Sequence, residues 1–176
     1  MTAEDPSNGI RIAGIHDATL LSQLGARTFR EAFGRFIPPI DLGSYISSTY
    51  NLTRQMDELA NPLREFLIAE RNDIALGYAM LYAHEALPEV AGENPIELER
   101  LYLLQDSIGH GLGFLLMSEC IKESRRCSHK AMWLQVWERN ERAISFYRKL
   151  GFESVGFRSK DLGKSIGKDL IMARNI

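Results

Sequence analysis

Residues 97–113, ELERLYLLQDSIGHGLG, constrain this chain more than any other stretch. Leu98, Leu101, Leu103 and Leu104 give its first half the apolar character of a strand. Gly109, Gly111 and Gly113 then alternate with His110 and Leu112. Beyond them Leu112, Leu115, Leu116 and Cys120 share one helical face. The pattern predicts a strand that runs into a glycine-rich turn, and a turn that opens a helix. Glycines at such a turn let backbone and ligand approach closely, and the free N–H groups of the first helical turn point at whatever binds. The donors and the helix dipole together favour a phosphate.

Two phosphate loops do not fit. A dinucleotide fingerprint needs Gly-x-Gly-x-x-Gly, but counting from Gly109 gives Gly111 and then Phe114. The acidic ribose partner should follow about 20 residues on; Ser128, His129 and Lys130 stand there. A P-loop needs a glycine five positions before Gly-Lys-Ser. Gly163-Lys164-Ser165 is present, but Arg158 occupies that position and no strand closely precedes it, so a solvated loop is expected. A third reading, an acetyl-coenzyme A loop, competes with these two and rests on a resemblance rather than on the failure of the others.

A chain of 176 residues is long enough for one domain with a full core. A net charge of −2 argues against a nucleic-acid binder, whose domain is usually basic. On one continuous helix Cys120 and Cys127 would lie about 10 Å apart, beyond the roughly 7 Å reach of a disulfide. Two free thiols fit a reducing cytoplasm. His16, His84, His110 and His129 make no metal spacing. The opening MTAEDPSNG is polar, so no signal peptide is expected. No apolar run approaches a membrane span.

Along the chain, residues 10–15 read as a strand. Asp17 is expected to cap a helix with Leu20, Leu21, Leu24 and Thr28 on one face. Phe29, Phe33 and Phe36 continue as an aromatic patch, which serves either the core or the wall of an acceptor pocket, until Pro38-Pro39. Asp41 is expected to cap a second helix bearing Leu42, Tyr45, Ile46 and Tyr50, and Thr53 a third that ends at Asn61-Pro62. Residues 65–70 and 74–82 form a hairpin around a turn at 71–73. Residues 83–95 form an acidic loop with Glu85, Glu89 and Glu93, either solvated or a rim that attracts a cationic amine. Residues 131–137 are a strand. Asn140 caps a helix carrying Ala143, Ile144, Tyr147 and Leu150 inward, with Gly151 at its C-terminal cap. Two closing strands, 152–157 and 169–173, are joined by a loop at 158–168.

Two motifs carry a family resemblance. Ile108, Gly111 and Gly113 stand where the GNAT superfamily of N-acetyltransferases has Gln/Arg-x-x-Gly-x-Gly/Ala, and residues 140–152, NERAISFYRKLGF, resemble its C-terminal signature. The resemblance covers most of the chain. It implies one acetyl-coenzyme A-binding domain over residues 1–176. The implied fold is an α/β (α+β) one: a mixed, mostly antiparallel sheet of six to seven strands flanked by helices, splayed between strands 4 and 5. Ile108 and His110 depart from the family, which has Gln or Arg at the first position and commonly Lys or Arg at the second, so the loop is less cationic.

The resemblance also implies roles. The pyrophosphate would rest on backbone from Ile108, Gly109, His110, Gly111, Leu112 and Gly113. The pantetheine arm would lie along Leu101, Tyr102 and Leu103 as an added strand, with a backbone N–H near Leu103 serving the oxyanion. Glu97 and Glu99, two apart on a strand, face one side, and either is suited to take the amine's proton. The family's spacing from glutamate to loop points to Glu97. Tyr147 matches the tyrosine that protonates the leaving thiolate, and Asn140, Phe146 and Lys149 match cofactor-contacting positions. Phe29, Phe33, Tyr45 and Glu97 would line the acceptor site. The expected reaction is direct acetyl transfer to a primary amine, a polyamine or else another small-molecule amine or a peptide N-terminus, in the cytoplasm. No membrane or nucleic-acid partner is expected, and a homodimer is compatible with this reading. A rival class, an acyl-coenzyme A holder without turnover, is favoured by Ile108 and disfavoured by the set Glu97, Asn140 and Tyr147.

Overall fold

The computed structural model describes residues 8–162 and 165–176. In chain order the elements are β1 (Asn8–Ile12), α1 (Ala18–Phe33), α2 (Pro39–Thr49), α3 (Leu52–Ala60), β2 (Arg64–Arg71), β3 (Ile74–Tyr82), β4 (Pro95–Leu103), α4 (Leu112–Arg126), β5 (Ala131–Trp137), α5 (Glu141–Lys149), β6 (Glu153–Leu162) and β7 (Ser165–Asn175). The strands make one sheet in the order β1-β2-β3-β4-β5-β7-β6. β4 and β5 are parallel, whereas β1–β2, β5–β7 and β6–β7 are antiparallel. The residues fall into two compact units, one from residues up to Met80 with Arg100–Cys120, the other from Leu81–Glu99 with Ile121–Ile176.

In the first unit β2 and β3 turn through Asn72 and Asp73, whose φ values of 50° and 62° are those of a two-residue type I′ hairpin. Phe66, Leu67, Ile68 and Ala69 are consecutive and all buried, as in a strand covered on both faces. Leu21, Leu24, Thr28 and Phe29 form the buried side of α1, while Phe36 is exposed. Three caps differ from expectation. The Asp17 carboxylate turns backward, accepting two bonds from Arg11 at 2.8 Å and one from the Gly14 N–H at 2.9 Å. It makes no cap bond to α1. The Arg11 hydrogen bonds hold it below the usual carboxylate range. α2 begins earlier than Asp41 would allow, because Pro39 can occupy a first helical position where no N–H is needed. α3 is capped by Asn51, whose side chain accepts the Arg54 N–H at 2.9 Å, and not by Thr53.

In the second unit the β4–β5 ladder pairs Pro95 with Ala131, Ile96 with Met132 and Glu97 with Trp133. It thus occupies the first three of the nine β4 residues. The loop expected at 158–168 is instead mostly strand: Arg158 pairs with Asp169, and the ladder continues to Leu162 and Ser165. Polar side chains hid this extension, since ladder bonds belong to the backbone. Gly163 and Lys164 of the expected solvated loop lie outside the described residues.

Candidate active site

The chain leaves β4 at Leu103, and the Leu104 N–H is held by the Leu76 carbonyl at 2.8 Å. A single 3-10 turn follows at Gln105–Ser107, with the Gln105 N–H bonded to the Glu31 carboxylate at 2.8 Å. Ile108 is extended and half-buried. Gly109 and Gly111 then adopt φ of 90° and 80°, a conformation other residues enter only with strain. A Cβ added at either would meet nothing within 4 Å. The backbone is therefore bare on that side, and the first amides of α4, which a helix leaves without an internal acceptor, begin at Leu112. His110 is exposed and Gly113 half-buried. These residues fit a diphosphate: open space at both glycines, with helix N-terminal donors behind it.

Leu101, Tyr102 and Leu103 are half-buried. Their backbone packs so closely on β3 that a Cβ at Gly77 would come 2.5 Å from the Tyr102 carbonyl oxygen. In the same unit the aromatic residues expected to form an acceptor wall do converge. Phe29 stacks on Tyr45 at 4.5 Å and tilts against Phe33 at 4.7 Å, and Tyr102 meets both phenylalanines edge-on at 6.2 and 6.3 Å. Tyr50 and Tyr78 are buried beside them.

A buried ion pair adjoins this cluster and was not anticipated. Arg100 donates a bidentate pair of bonds to Glu58 at 2.8 and 2.9 Å, and its guanidinium lies 5.4 Å from the Tyr50 ring centroid. Arg54 adds a third bond to Glu58 at 2.8 Å. Burial alone would raise the Glu58 pKa, but the Arg100 and Arg54 contacts outweigh it and hold the group below its ordinary value. Forty-two residues separate Glu58 from Arg100, so no local signal joins them.

In the second unit Glu97 is 5% exposed. Gln135 donates to its Oε1 at 3.2 Å, and His84 Nε2 lies 2.6 Å from its Oε2. His84 stacks on Tyr82 at 4.2 Å and tilts toward Trp133 at 5.6 Å. Glu99 is half-buried. His84 and Gln135 were missed. A histidine just past an alternating strand, opening an otherwise acidic loop, was the one available signal. Glu89 of that loop is bonded by Arg158 at 2.8 Å, while Glu85 and Glu93 are exposed.

Also in the second unit, the Asn140 side chain accepts the Ala143 N–H at 3.2 Å and so caps α5. Gly151 follows the helix with φ 82°. Tyr147 is buried and meets Phe146 and Phe152 edge-on at 5.3 and 5.7 Å, while Lys149 is exposed. Cys120 and Cys127 are both free thiols, and burial raises the Cys120 pKa. Among the described residues no helix is long and apolar enough to cross a membrane.

Residues 29–152 match the model of the acetyltransferase (GNAT) family. A Mycobacterium tuberculosis protein described as an uncharacterised N-acetyltransferase is 31% identical over 160 residues, covering 91% of this chain and 98% of that protein. One from Lactobacillus delbrueckii subsp. lactis, described likewise, is 30% identical over 168 residues, covering 94% and 97%. Among solved structures, the PaiA N-acetyltransferase of Thermoplasma acidophilum in complex with coenzyme A superposes with a TM-score of 0.75 at 24% identity, covering 97% of this chain and 99% of that one.

Proposed function

The chain belongs to the acetyltransferase (GNAT) family, an acetyl-coenzyme A-dependent one, and on that premise we propose that it acetylates the primary amine of a small cationic molecule, a polyamine above all, by direct attack. The observation that carries the reading is the turn at Gly109 and Gly111, bare on one side and backed by the start of α4. Acetyl-coenzyme A supplies an activated thioester. Its pyrophosphate is assigned to the backbone from Ile108 to Gly113, and its arm to Leu101–Leu103.

Glu97 takes the proton of the incoming ammonium. A buried carboxylate bonded to a histidine and an amide is suited to accept and pass on a proton. Tyr147 returns a proton to the thiolate, and Asn140, Phe146 and Lys149 contact the coenzyme. Phe33, Tyr45 and Tyr102 are half-buried and offer aromatic faces to a cation, which draws about 0.5–2 kcal/mol from such a ring, while Phe29 is buried against Tyr45 and supports them. That preference supports a polyamine over a neutral or aromatic amine. The activity is assigned to a single acetyl-coenzyme A-binding domain spanning residues 1–176.

The test is release of free thiol from acetyl-coenzyme A across spermidine, spermine, a monoamine, an arylamine and a peptide with a free N-terminus. The polyamines are expected to give the highest kcat/KM. Turnover confined to the peptide would refute the polyamine assignment. Coenzyme binding with no thiol release for any amine would refute transfer to amines of these classes.

A further inference from the structure

Accepting Glu97 as the base leaves one question of chemistry: where the proton goes next. Glu97 is buried, and each of its oxygens already has a partner. The Gln135 amide on Oε1 holds the carboxylate but cannot carry a proton away. The imidazole on Oε2 can. We propose that His84 is the proton exit of the site, a relay residue that acts through Glu97 rather than on the amine.

The geometry supplies both ends of the relay. His84 Nε2 is 2.6 Å from Glu97 Oε2, within direct proton-transfer reach. The side chain of His84 is 29% exposed against 7% for that of Glu97, so the imidazole spans from the buried carboxylate to water. Among the described residues Nδ1 of His84 has no protein partner. Tyr82 on one side and Trp133 on another pack against the ring, and the Glu97 carboxylate lies at its Nε2.

The steps balance. The ammonium gives one proton to the Glu97 carboxylate. His84 enters this step as the Nδ1–H tautomer with Nε2 free to accept; Glu97 passes the proton from Oε2 to Nε2, so the pair becomes carboxylate and imidazolium, with Nε2–H now donating to the carboxylate. The Nδ1 proton then goes to water, which restores the pair's charge, and tautomer exchange with solvent resets the ring. An imidazole suits this work because one ring nitrogen can accept a proton while the other gives one up.

The test uses the full chain with one good amine. His84→Gln keeps a donor for Glu97 but cannot relay, and His84→Ala opens space for added imidazole. Both are expected to lower kcat tenfold or more, with the KM for the amine little changed. Millimolar imidazole should restore much of the His84→Ala activity and none of the His84→Gln activity. Wild-type kcat in His84→Gln would overturn the relay and leave His84 as a support for Glu97. A His84→Ala defect untouched by imidazole would overturn it too. Glu97→Gln separates the two readings: full activity in that variant removes Glu97 as base, whereas an impaired Glu97→Gln beside a fully active His84→Gln removes only the relay.

Discussion

Gly111→Ala probes the phosphate turn with two effects that can be measured apart. Gly111 sits at φ 80°, where an L-residue pays about 1–2 kcal/mol. The new methyl group meets no protein atom within 4 Å, so packing adds no further cost and the variant should fold. The methyl does intrude into the bare side of the turn, the space assigned to the pyrophosphate. Losing one charge-assisted bond there costs roughly 1.5–3 kcal/mol, or about ten- to a hundredfold in Kd. Denaturant melts give the first number and calorimetric titration with acetyl-coenzyme A gives the second. Gly109→Ala, at φ 90° and equally open, should carry a similar folding cost and so calibrates the strain. Wild-type affinity in a folded Gly111→Ala protein would take the turn out of the coenzyme site. So would a loss of affinity that vanishes once the melt shows the sample to be partly unfolded.

Ile108→Arg restores a cation at the mouth of the turn and should tighten coenzyme A binding by up to roughly 1.5–3 kcal/mol; no gain in titration would mean that the backbone donors suffice. Tyr147→Phe should lower kcat by about 10²-fold or more, with no recovery at high pH, whereas the Glu97→Gln defect should shrink as pH rises and the amine supplies its own free base; pH–rate profiles with Glu99→Gln alongside decide this. Glu58→Gln leaves Arg100 buried beside an uncharged partner and should cost about 3–5 kcal/mol in urea melts at neutral pH. Because the folded Glu58 pKa is depressed, its contribution is full above the ordinary glutamate range and is lost as pH falls through the folded value, so the gap between variant and wild type should close in acid. Asn140→Ala removes the α5 cap and should cost about 1 kcal/mol of stability; a larger fall in coenzyme affinity than in stability would support the cofactor contact.

What could be read from the sequence was what local chemistry fixes. The strand at 131–137 is an apolar run broken once, at Gln135, rich in large side chains and bounded by the polar Lys130 and Glu138, and it lies where expected. Asn72 and Asp73 announce a tight turn because both tolerate a positive φ. The caps were harder, since Asp17, Asp41 and Thr53 are plausible by type. The outcome depended on competitors: Arg11 claimed Asp17, Pro39 opened α2 first, and Asn51 preceded Thr53. The β6–β7 extension had no side-chain pattern to reveal it. The Glu58–Arg100 pair joins residues that no periodicity relates.

Glu97 and Glu99 show most clearly where a sequence stops. Strand alternation puts both on one side and cannot rank them. What tells them apart comes from elsewhere in the chain. The parallel register sets Trp133 opposite Glu97, so alternation along β5 brings Gln135 to the same face two residues on. The same rule carries the end of β3 from Tyr82 toward His84, which stacks on it. Tyr82 and Trp133 thus hold the imidazole, while His84 and Gln135, thirteen and thirty-eight residues from Glu97, take its two oxygens. The pairing of strands therefore gives Glu97 two partners that its own neighbours in sequence do not announce. If Glu97 is the base, Gln135→Ala should change the pH–rate profile and Glu99→Gln should leave it as in wild type; the reverse outcome would move the role to Glu99.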